Sequence, residues 1–495
     1  MILTADKTTL VGAFAPATNR EAVEAASAVP AGVGMVEIRL DRFTESPQLS
    51  TLRAAFGRIP LLATLRSVDE GGAFDGSAEE RERLLTLALE SGFDLVDVEM
   101  AAAPELVSKL GKERVVVSFH DTEGIPARLE NLVSRMRDTG ARHLKVVATA
   151  HDSGDALRLL RFQKEQADGR LTCFGMGEAG IATRALSPYL GARLAFGALV
   201  EGGATAPGQL PAADLAATYA VGRRREVEAL CVLFGGVVSH SLSPALHNGN
   251  FEAGGDRLLY VPFALRSLLA ELGPLSHGLE ALGLPLRGVS VTVPFKEEAA
   301  AIASSGEKGA ANTLLPRGSG FVAMNTDREA LASFFPAPPK RGRALVLGAG
   351  GTARAALEAL RSRGWSPFVS SRTVERAARL AEATGSELIR ELDGAGRWDL
   401  IVNATPLGMK EGDPLPCPEE LLRAGILVVD APYRPGGTPL ARAARRAGAL
   451  VQDGFAFLVA QAALQAEAFT GRPTSAEELQ SRLPERVRRR FEVTS

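Results

Sequence analysis

RALVLGAGGTARAALEALRSRG, residues 343–364, decides how the second half of this chain folds. An apolar strand runs into a glycine turn and then into an alanine-rich amphipathic helix. The pattern G-x-G-x-x-A falls on Gly348, Gly350 and Ala353, in the strand, turn and helix context that a dinucleotide fingerprint requires. Glycines there allow a tight turn and bring backbone N–H groups and a helix N-terminus close to a pyrophosphate. Gly348, Ala349, Gly350, Gly351, Thr352 and Ala353 are therefore the candidate phosphate-binding residues, in a Rossmann-type α/β lobe expected over 336–455.

Working outward, the end of the following strand chooses the cofactor. NAD binders place Asp or Glu about 20 residues on, to hold the ribose 2′-hydroxyl. Here the stretch is FVSSRTVERA, 368–377, with Ser371, Arg372, Thr373 and Arg376 and no carboxylate before Glu375. Arginines and hydroxyls in that place suit a 2′-phosphate, and so NADP. DLIVNATPLGM (399–409) and LVVDAPYRP (427–435) each pair a strand with a polar turn, as further crossings of a nucleotide-binding sheet would, with Asn403, Thr405 and Tyr433 on those turns. DGFAFLVAQAALQAEAFTG (453–471) reads as a returning helix, with Gly454 at its start on the cofactor side and Gln461 further along.

Upstream, the Pro-rich break FFPAPPKRGR (334–343) marks an internal boundary, and before it comes an expected substrate lobe over 225–335, completed by helices in 456–495. Strand CVLFGG leads to SHSLSPALHN, where Ser241 and Ser243 precede a helix. Serines there are caps or, beside free helix N–H groups, carboxylate ligands. GVSVTVPFKEEAA places Thr292 and Lys296 just past a strand, and GAANTLL and MNTDREAL add Asn312 and Asp327. Lys296 with Asp327 is either an ordinary salt bridge or a proton-transfer pair.

Over 1–224 eight apolar runs alternate with helix-like segments: TLVGAF, VGMVEIRL, IPLLATL, FDLVDVEM, RVVVSFHD, HLKVVATA, RLTCFGM and ARLAFGAL. That pattern implies a (β/α)8 TIM barrel, whose catalytic residues gather at the C-terminal strand ends. Glu37 and Arg39 end the second run, Arg66 the third and His120 the fifth, while Lys145 lies inside the sixth. Such a lysine either snorkels its ammonium to water or, if buried, loses solvation of its charged form and becomes an amine able to attack a carbonyl. Histidines are often structural, but His120 ends the neighbouring strand and Glu70, on SVDEGG, is available to orient it. GMGEAGIATRALSP contributes Arg184, a forked donor for a carboxylate, and EGGATAPGQ contributes Thr205 and Gln209. Together these residues describe a site for a small polyhydroxylated keto acid. The join AADLAATYAVGRRREVEAL has helical periodicity and reads as the barrel's last helix running into the next domain.

Composition excludes other classes. A chain of 495 residues and 52.1 kDa exceeds one hydrophobic core. A formal charge of -2 gives no pull toward nucleic acid or anionic membrane, and the basic run RVRRRF (486–491) reads as a solvated helix end. Cys173, Cys231 and Cys417 are far apart, without metal-ligand spacing, as in a reducing cytoplasm. No apolar run approaches the roughly 18 residues of a membrane span.

Over 5–220 the residues resemble the type I 3-dehydroquinate dehydratases, with EIRLD, ATLRS, SFHD, the strand lysine, GxxxR and APGQ in that family's order. The resemblance implies that Lys145 forms an imine with the C3 ketone of 3-dehydroquinate and that His120, oriented by Glu70, moves protons. It further implies that Glu37, Arg39 and Arg66 hold ring hydroxyls, and that Arg184, Thr205 and Gln209 grip the carboxylate side. Residues 230–475 resemble the shikimate dehydrogenases through SxSPxxHN, VTVPFK, ANT, NTD, GAGGTAR, NAT, DxxY and a glutamine-bearing C-terminal helix. This implies that Ser241, Ser243, Thr292, Asn312, Tyr433 and Gln461 contact 3-dehydroshikimate and that Lys296 and Asp327 transfer the proton. Two successive activities ending in shikimate are thus expected, with NADP, small-molecule substrates and a cytoplasmic location. Two large domains, each with a complete site, permit a monomer. A catabolic quinate enzyme using NAD, a Schiff-base aldolase fused to an unrelated reductase, and a non-catalytic ligand-binding half are the alternatives.

Overall fold

The computed structural model describes residues 3–4, 8–392 and 397–491. Its contacts form two compact units. The first holds the chain up to Pro244 with Arg257–Leu286; the second holds Ala245–Asp256 and the chain from Arg287.

The first unit is built on eight parallel strands, β1 (Thr9–Phe14), β2 (Met35–Arg39), β3 (Leu61–Thr64), β4 (Leu95–Glu99), β5 (Val115–Asp121), β6 (His143–Thr149), β7 (Leu171–Met176) and β8 (Leu194–Ala198). Ladders join each strand to the next, and β8 returns to β1 with Thr9 opposite Leu194. Between β7 and β8 no ladder forms; Arg193 N donates to Leu171 O at 3.2 Å, and Leu194 N donates to the Thr172 hydroxyl at 2.8 Å. The barrel is thus nearly closed, as its eight apolar runs imply.

Strands buried on both faces carry two different sets of residues. Val36, Ile38, Val96, Val98, Val115, Val117, Leu144 and Val146 face outward into the core beneath the helices. Inward, Val11, Met35, Leu62, Leu95, Val116 and Phe196 fill the interior, and above them the same faces turn polar. Strand pairing sets Thr64 opposite Asp97 and Ser118 opposite Lys145.

The expected helical join is not continuous. A helix spans only Ala212–Ala217; the chain then turns through Ala220 at φ 53° and Gly222 at φ 80°. Tyr219, Ala220 and Val221 are buried, so apolar residues that mimic a helix stripe instead anchor a turn. Glu226–Val227 follows as a strand antiparallel to Leu3–Thr4.

Strands Ala229–Gly235 and Leu258–Ala264 pair in parallel and group with the barrel. The contacts explain why the unit boundary falls inside the expected 225–335 lobe. Helix Leu268–Ala281 lies against barrel helix Ser153–Gln166 so closely that a Cβ on Gly278 would meet Leu157 at 2.1 Å. Ser153 Oγ donates to Glu271 at 2.5 Å, and Lys164 Nζ to the Leu282 carbonyl at 2.8 Å.

In the second unit, six parallel strands follow the order Glu387–Leu388, Ser366–Ser370, Arg343–Leu347, Leu400–Asn403, Leu427–Asp430, Leu450–Gln452. Numbered along the chain this is 3-2-1-4-5-6, the doubly wound order whose ligand crevice lies where the winding reverses, outside the ends of the first and fourth strands. Helix Gly454–Thr470 packs on the strand regions around 288 and 313: Gln465 Nε2 donates to Thr313 Oγ1 at 2.9 Å, and Ser290 Oγ donates to Gln465 Oε1 at 3.0 Å. No described helix is long and apolar enough to cross a membrane.

Candidate active sites

Inside the barrel, Lys145 is 5% exposed. Nζ lies 3.4 Å from Glu37 Oε1, 3.9 Å from Asp97 Oδ2 and 4.0 Å over the ring of Phe196. Burial lowers its pKa, Glu37 and Asp97 oppose that, and Arg66 and Arg39 reinforce it; the net direction is down from 10.5. The snorkelling reading is therefore not the one the fold adopts. Desolvation wins because neither carboxylate is in tight contact.

His120 is on the adjacent strand. Its backbone N–H donates to Glu70 Oε2 at 3.0 Å, and its Nδ1 is 2.9 Å from the same oxygen. That oxygen also accepts from Arg66 Nη1 at 3.1 Å; with Nδ1–H as its donor, Nε2 would keep its lone pair. Burial first, then Arg66, Lys145, Arg39 and Arg184, hold the imidazole well below its usual 6.5. Burial pushes the Glu70 carboxyl up to about 8 against the pull of Arg66, helped by Glu99 and Asp97. A neutral imidazole beside a desolvated amine is an arrangement that can serve as a general base.

Two expected substrate ligands are already engaged. Arg66 directs Nη2 at Asp97 (2.7 Å) and Nη1 at Ser118 (2.9 Å), Glu70 and Glu99 (3.2 Å). Burial lowers its pKa, but Asp97, Glu70, Glu99 and Glu37 raise it more. Arg39 is held by Asp41 through two bonds of 2.8 Å. Both arginines thus set the field and the side-chain positions around Glu70 and Lys145. Glu37 accepts from Thr64 Oγ1 at 2.8 Å.

Arg184 differs from them. It is 4% exposed, stacks 4.7 Å over Phe174, donates to the Pro207 carbonyl at 3.4 Å, and forms no ion pair among the described residues. Its Nε has no partner. Burial pushes its pKa down to about 9. A buried guanidinium in this state calls for an anion. Nearby loops are tied together, since Gly177 N donates to Pro207 O at 3.1 Å and Gln209 Oε1 accepts from Thr205 N at 2.6 Å and Thr205 Oγ1 at 3.1 Å.

The second site centres on Lys296. Nζ is 2.5 Å from Asp327 Oδ2 and donates to the Thr352 hydroxyl at 3.3 Å, joining the ammonium to the first turn of helix Gly351–Ser362. Asn312 orders the other side: Nδ2 donates to Asp327 Oδ1 at 2.9 Å, to Thr326 Oγ1 at 2.8 Å and to Gln461 Oε1 at 3.3 Å. Asp327 is thereby a fixed acceptor whose other oxygen faces the lysine. Thr292 is half-buried on the turn leading to Lys296, and Tyr433 lies edge-on to Phe491 at 6.1 Å. Phe491 also stacks on Phe455 at 4.8 Å, so the end of the basic run is packed while Arg489 and Arg490 face water. Ser241 and Ser243 belong to the first unit, where Ser241 Oγ caps by accepting from Ser243 N at 3.2 Å.

At the nucleotide turn, Gly348 has φ 115°, and a Cβ there would meet the Ala404 carbonyl oxygen at 2.9 Å. Gly350 is the N-cap without a side-chain partner, and a Cβ on it would meet nothing within 4 Å. The helix N-terminus therefore has no side-chain cap at Gly350, which fits a pyrophosphate there. Arg372, Thr373 and Arg376 are exposed beyond the next strand, with Ser371 Oγ accepting from Thr373 N at 3.4 Å, and this fits a 2′-phosphate. Asn403 acts on its own turn: Nδ2 donates to Asp430 at 2.7 Å, and Oδ1 accepts from Thr405 Oγ1 at 2.7 Å. Gly454 is required by packing, since a Cβ would strike the Pro432 carbonyl at 2.2 Å. Asp430 is fully buried and pushed up to about 6, chiefly by burial.

Sequence reading missed Asp97 and Ser118, buried beside Lys145, and Phe174 and Phe196 beneath the two cations. Alternation within FDLVDVEM puts Asp97 on the face of Glu99, the one signal that pointed to it.

A nearly closed parallel barrel with a desolvated lysine next to a neutral histidine, joined to a doubly wound sheet with a Lys–Asp pair at its glycine turn, defines an imine-forming lyase linked to a nicotinamide-nucleotide oxidoreductase. Residues 14–225 match the type I 3-dehydroquinase family, and residues 233–314 match the shikimate dehydrogenase substrate binding domain. The chain is 31% identical over 503 residues to the chloroplastic bifunctional 3-dehydroquinate dehydratase/shikimate dehydrogenase of Arabidopsis thaliana, covering 94% of this chain and 82% of that one. It is 42% identical over 258 residues to the shikimate dehydrogenase (NADP(+)) of Rubrobacter xylanophilus, 48% of this chain and 89% of that one. The crystal structure of shikimate 5-dehydrogenase from Thermus thermophilus with NADP(H) and shikimate matches 51% of this chain and 98% of its own at 35% identity and a TM-score of 0.46. The chain belongs to the bifunctional 3-dehydroquinate dehydratase/shikimate dehydrogenase family.

Proposed function

We propose that the chain carries out two consecutive reactions, dehydration of 3-dehydroquinate through an imine on Lys145 and NADPH-dependent reduction of the resulting 3-dehydroshikimate to shikimate. The observation that carries the reading is Lys145, an amine with 5% exposure whose nearest carboxylate oxygen is 3.4 Å away, set one strand from a neutral histidine.

In the barrel, neutral Lys145 attacks the C3 carbonyl and water leaves as the iminium forms. The iminium acidifies the adjacent carbon, and His120 Nε2 takes its proton to give an enamine. The enamine's electrons expel the hydroxyl one carbon further on, and His120 returns the proton so that it departs as water. Hydrolysis then frees the amine. Arg184, with Thr205 and Gln209 on the facing loop, binds the substrate carboxylate, while Glu37, with Arg39 and Arg66 behind it, faces the ring hydroxyls.

In the second site, NADPH held by the 348–353 turn and by Ser371, Arg372, Thr373 and Arg376 supplies a hydride when bound. Lys296 stabilises the developing alkoxide and donates its proton, and Asp327 keeps the ammonium in place. Ser241, Ser243, Thr292, Asn312, Tyr433 and Gln461 contact the substrate. Asn403, Thr405 and Gly454 shape the nucleotide crevice. NADP rather than NAD is favoured by the two exposed arginines, and the Rubrobacter relative is named as an NADP(+) enzyme. The domain division 1–224, 225–335 with 456–495, and 336–455 belongs to the same reading, as do a monomer and a cytoplasmic location.

The test supplies purified protein with 3-dehydroquinate and NADPH and follows enone absorbance and cofactor oxidation together. Enone should appear first and NADPH consumption follow. Lys296→Met should stop consumption and let the enone accumulate. Enone with no NADPH consumed by the wild type would overturn the second activity; no borohydride-trapped adduct on Lys145 would overturn the first.

A further inference from the structure

Glu178 has no assigned part in either reaction. It lies between β7 and Arg184, in the loop Gly177–Gly180 on the barrel rim. Its Oε1 accepts two backbone hydrogen bonds, from Val238 N at 2.6 Å and Ser239 N at 2.8 Å. Those two amides open the turn that presents Ser241 and Ser243. The turn closes when Ser241 N donates to the Val238 carbonyl at 3.2 Å, and Ser241 Oγ then accepts from Ser243 N. The preceding residue, Val237, is 69% exposed, whereas Val238 is 2% exposed, so one buried side chain and the two bonds to Glu178 hold this end of the turn.

The other end of the connection is rigid. Gly177 is in the left-handed region at φ 81° and donates to Pro207 O, and Gly180 N donates to Gly177 O at 3.1 Å. A Cβ on Gly208 would meet the Gly177 carbonyl oxygen at 2.2 Å, so the two rim loops cannot slide past one another. Helix Ile181–Leu186 is buried throughout. Glu178 is therefore a charged acceptor on a stiff frame, aimed at the two adjacent amides that open the turn.

We infer that Glu178 is a positioning residue of the reductase: the dehydratase barrel sets the turn that carries Ser241 and Ser243 in the orientation needed to bind 3-dehydroshikimate. This rests on the reading of those serines as substrate contacts.

The experiment uses the full chain. Glu178→Ala removes a charge-assisted acceptor of two bonds, and the KM for 3-dehydroshikimate should rise about tenfold. kcat of reduction and KM for NADPH should change by less than about twofold, as should kcat/KM of dehydration. Glu178→Gln keeps an acceptor oxygen and should recover most of the affinity. Amide exchange at Val238 and Ser239, read by hydrogen–deuterium exchange, should speed up in the Ala variant. Fast amides with an unchanged KM would overturn the inference, as would unchanged exchange. Equal losses in both activities with a lowered melting temperature would show a merely structural role and also overturn it. A wild type that consumes no NADPH with 3-dehydroshikimate would fail the functional reading instead.

Discussion

Asp97→Asn isolates the field acting on Lys145. Asp97 is 1% exposed, accepts from Arg66 Nη2 at 2.7 Å and from Ser118 Oγ at 2.6 Å, and has Oδ2 3.9 Å from Lys145 Nζ. At that separation, with an effective dielectric of about 20, the attraction is worth about 4 kcal/mol, or about 3 pKa units as an upper bound. Asp97 raises the lysine's pKa and Arg66 lowers it, so removing the carboxylate acts twice in one direction: the opposing charge goes and Arg66 is less compensated. Lys145 should lose its proton at lower pH, by on the order of 1–3 units. The assay traps the imine with borohydride across pH at saturating 3-dehydroquinate and counts adduct by mass. The acid limb of trapping should move down, while the barrel melts at lower temperature because a buried ion pair has been broken, at a cost of about 3–5 kcal/mol. An acid limb that stays put or moves up, in a variant still folded by near-UV circular dichroism, would refute the claim that Asp97 tunes Lys145.

Arg184→Met should raise the KM for 3-dehydroquinate about 100-fold without lowering the melting temperature, since the lost guanidinium is buried with no carboxylate partner among the described residues; a destabilised variant with normal KM would count against carboxylate binding there. Acid should destabilise both units through His143, pushed down to about 4 by burial with Arg142 and Arg193, and His247, pushed down to about 3 by burial against an opposing Gln465. Both are lowered, so their stabilisation is present above pH 6.5 and is lost as the pH falls toward the folded values. Each should remove about 2 kcal/mol by pH 5, and melting curves flat between pH 7 and 5 would refute it. Arg372→Ala should raise the KM for NADPH at least tenfold and leave that for NADH within about twofold, because only the former has a 2′-phosphate to lose; an equal change in both would remove the basis for NADP preference.

Much of the scaffold is legible because buried parallel strands announce themselves as apolar runs. RVVVSFHD is strand Val115–Asp121, and HLKVVATA is His143–Thr149 to within one residue. Which residues form the site is less legible, because closure decides which face of a strand is inside. FDLVDVEM looks alike whether its acids face water or the barrel axis; only the pairing of Thr64 with Asp97, and the proximity of Lys145, make Asp97 an interior charge. The role of Arg66 is hidden for the same reason, its partners being 31, 33 and 52 positions away. The join misled because Ala-rich periodicity is shared by helices and by buried turns, although Gly222 was a visible stop signal. The grouping of strands Ala229–Gly235 and Leu258–Ala264 with the barrel had no sequence signal, since it depends on a leucine and a glycine far apart on two helices, Leu157 and Gly278.

The two lysines show why residue type alone leaves chemistry open. Lys145 lies within an apolar strand, Lys296 follows one, and both have carboxylate neighbours. Lys145 is almost fully buried, with its oxygens at 3.4 and 3.9 Å and an aromatic face at 4.0 Å, so the loss of hydration is larger than what the carboxylates return. Its pKa is lowered, which brings the nucleophilic neutral amine closer to reach. Lys296 sits at 2.5 Å from an Asp327 whose second oxygen is fixed by Asn312, and it also donates to Thr352 at the nucleotide turn. An ammonium, with three donors and no lone pair, cannot attack a ketone. It can stabilise an alkoxide and protonate it. The proposed proton donor and the proposed imine-forming residue thus differ in the approach of their carboxylates, 2.5 Å against 3.4 Å, and in burial.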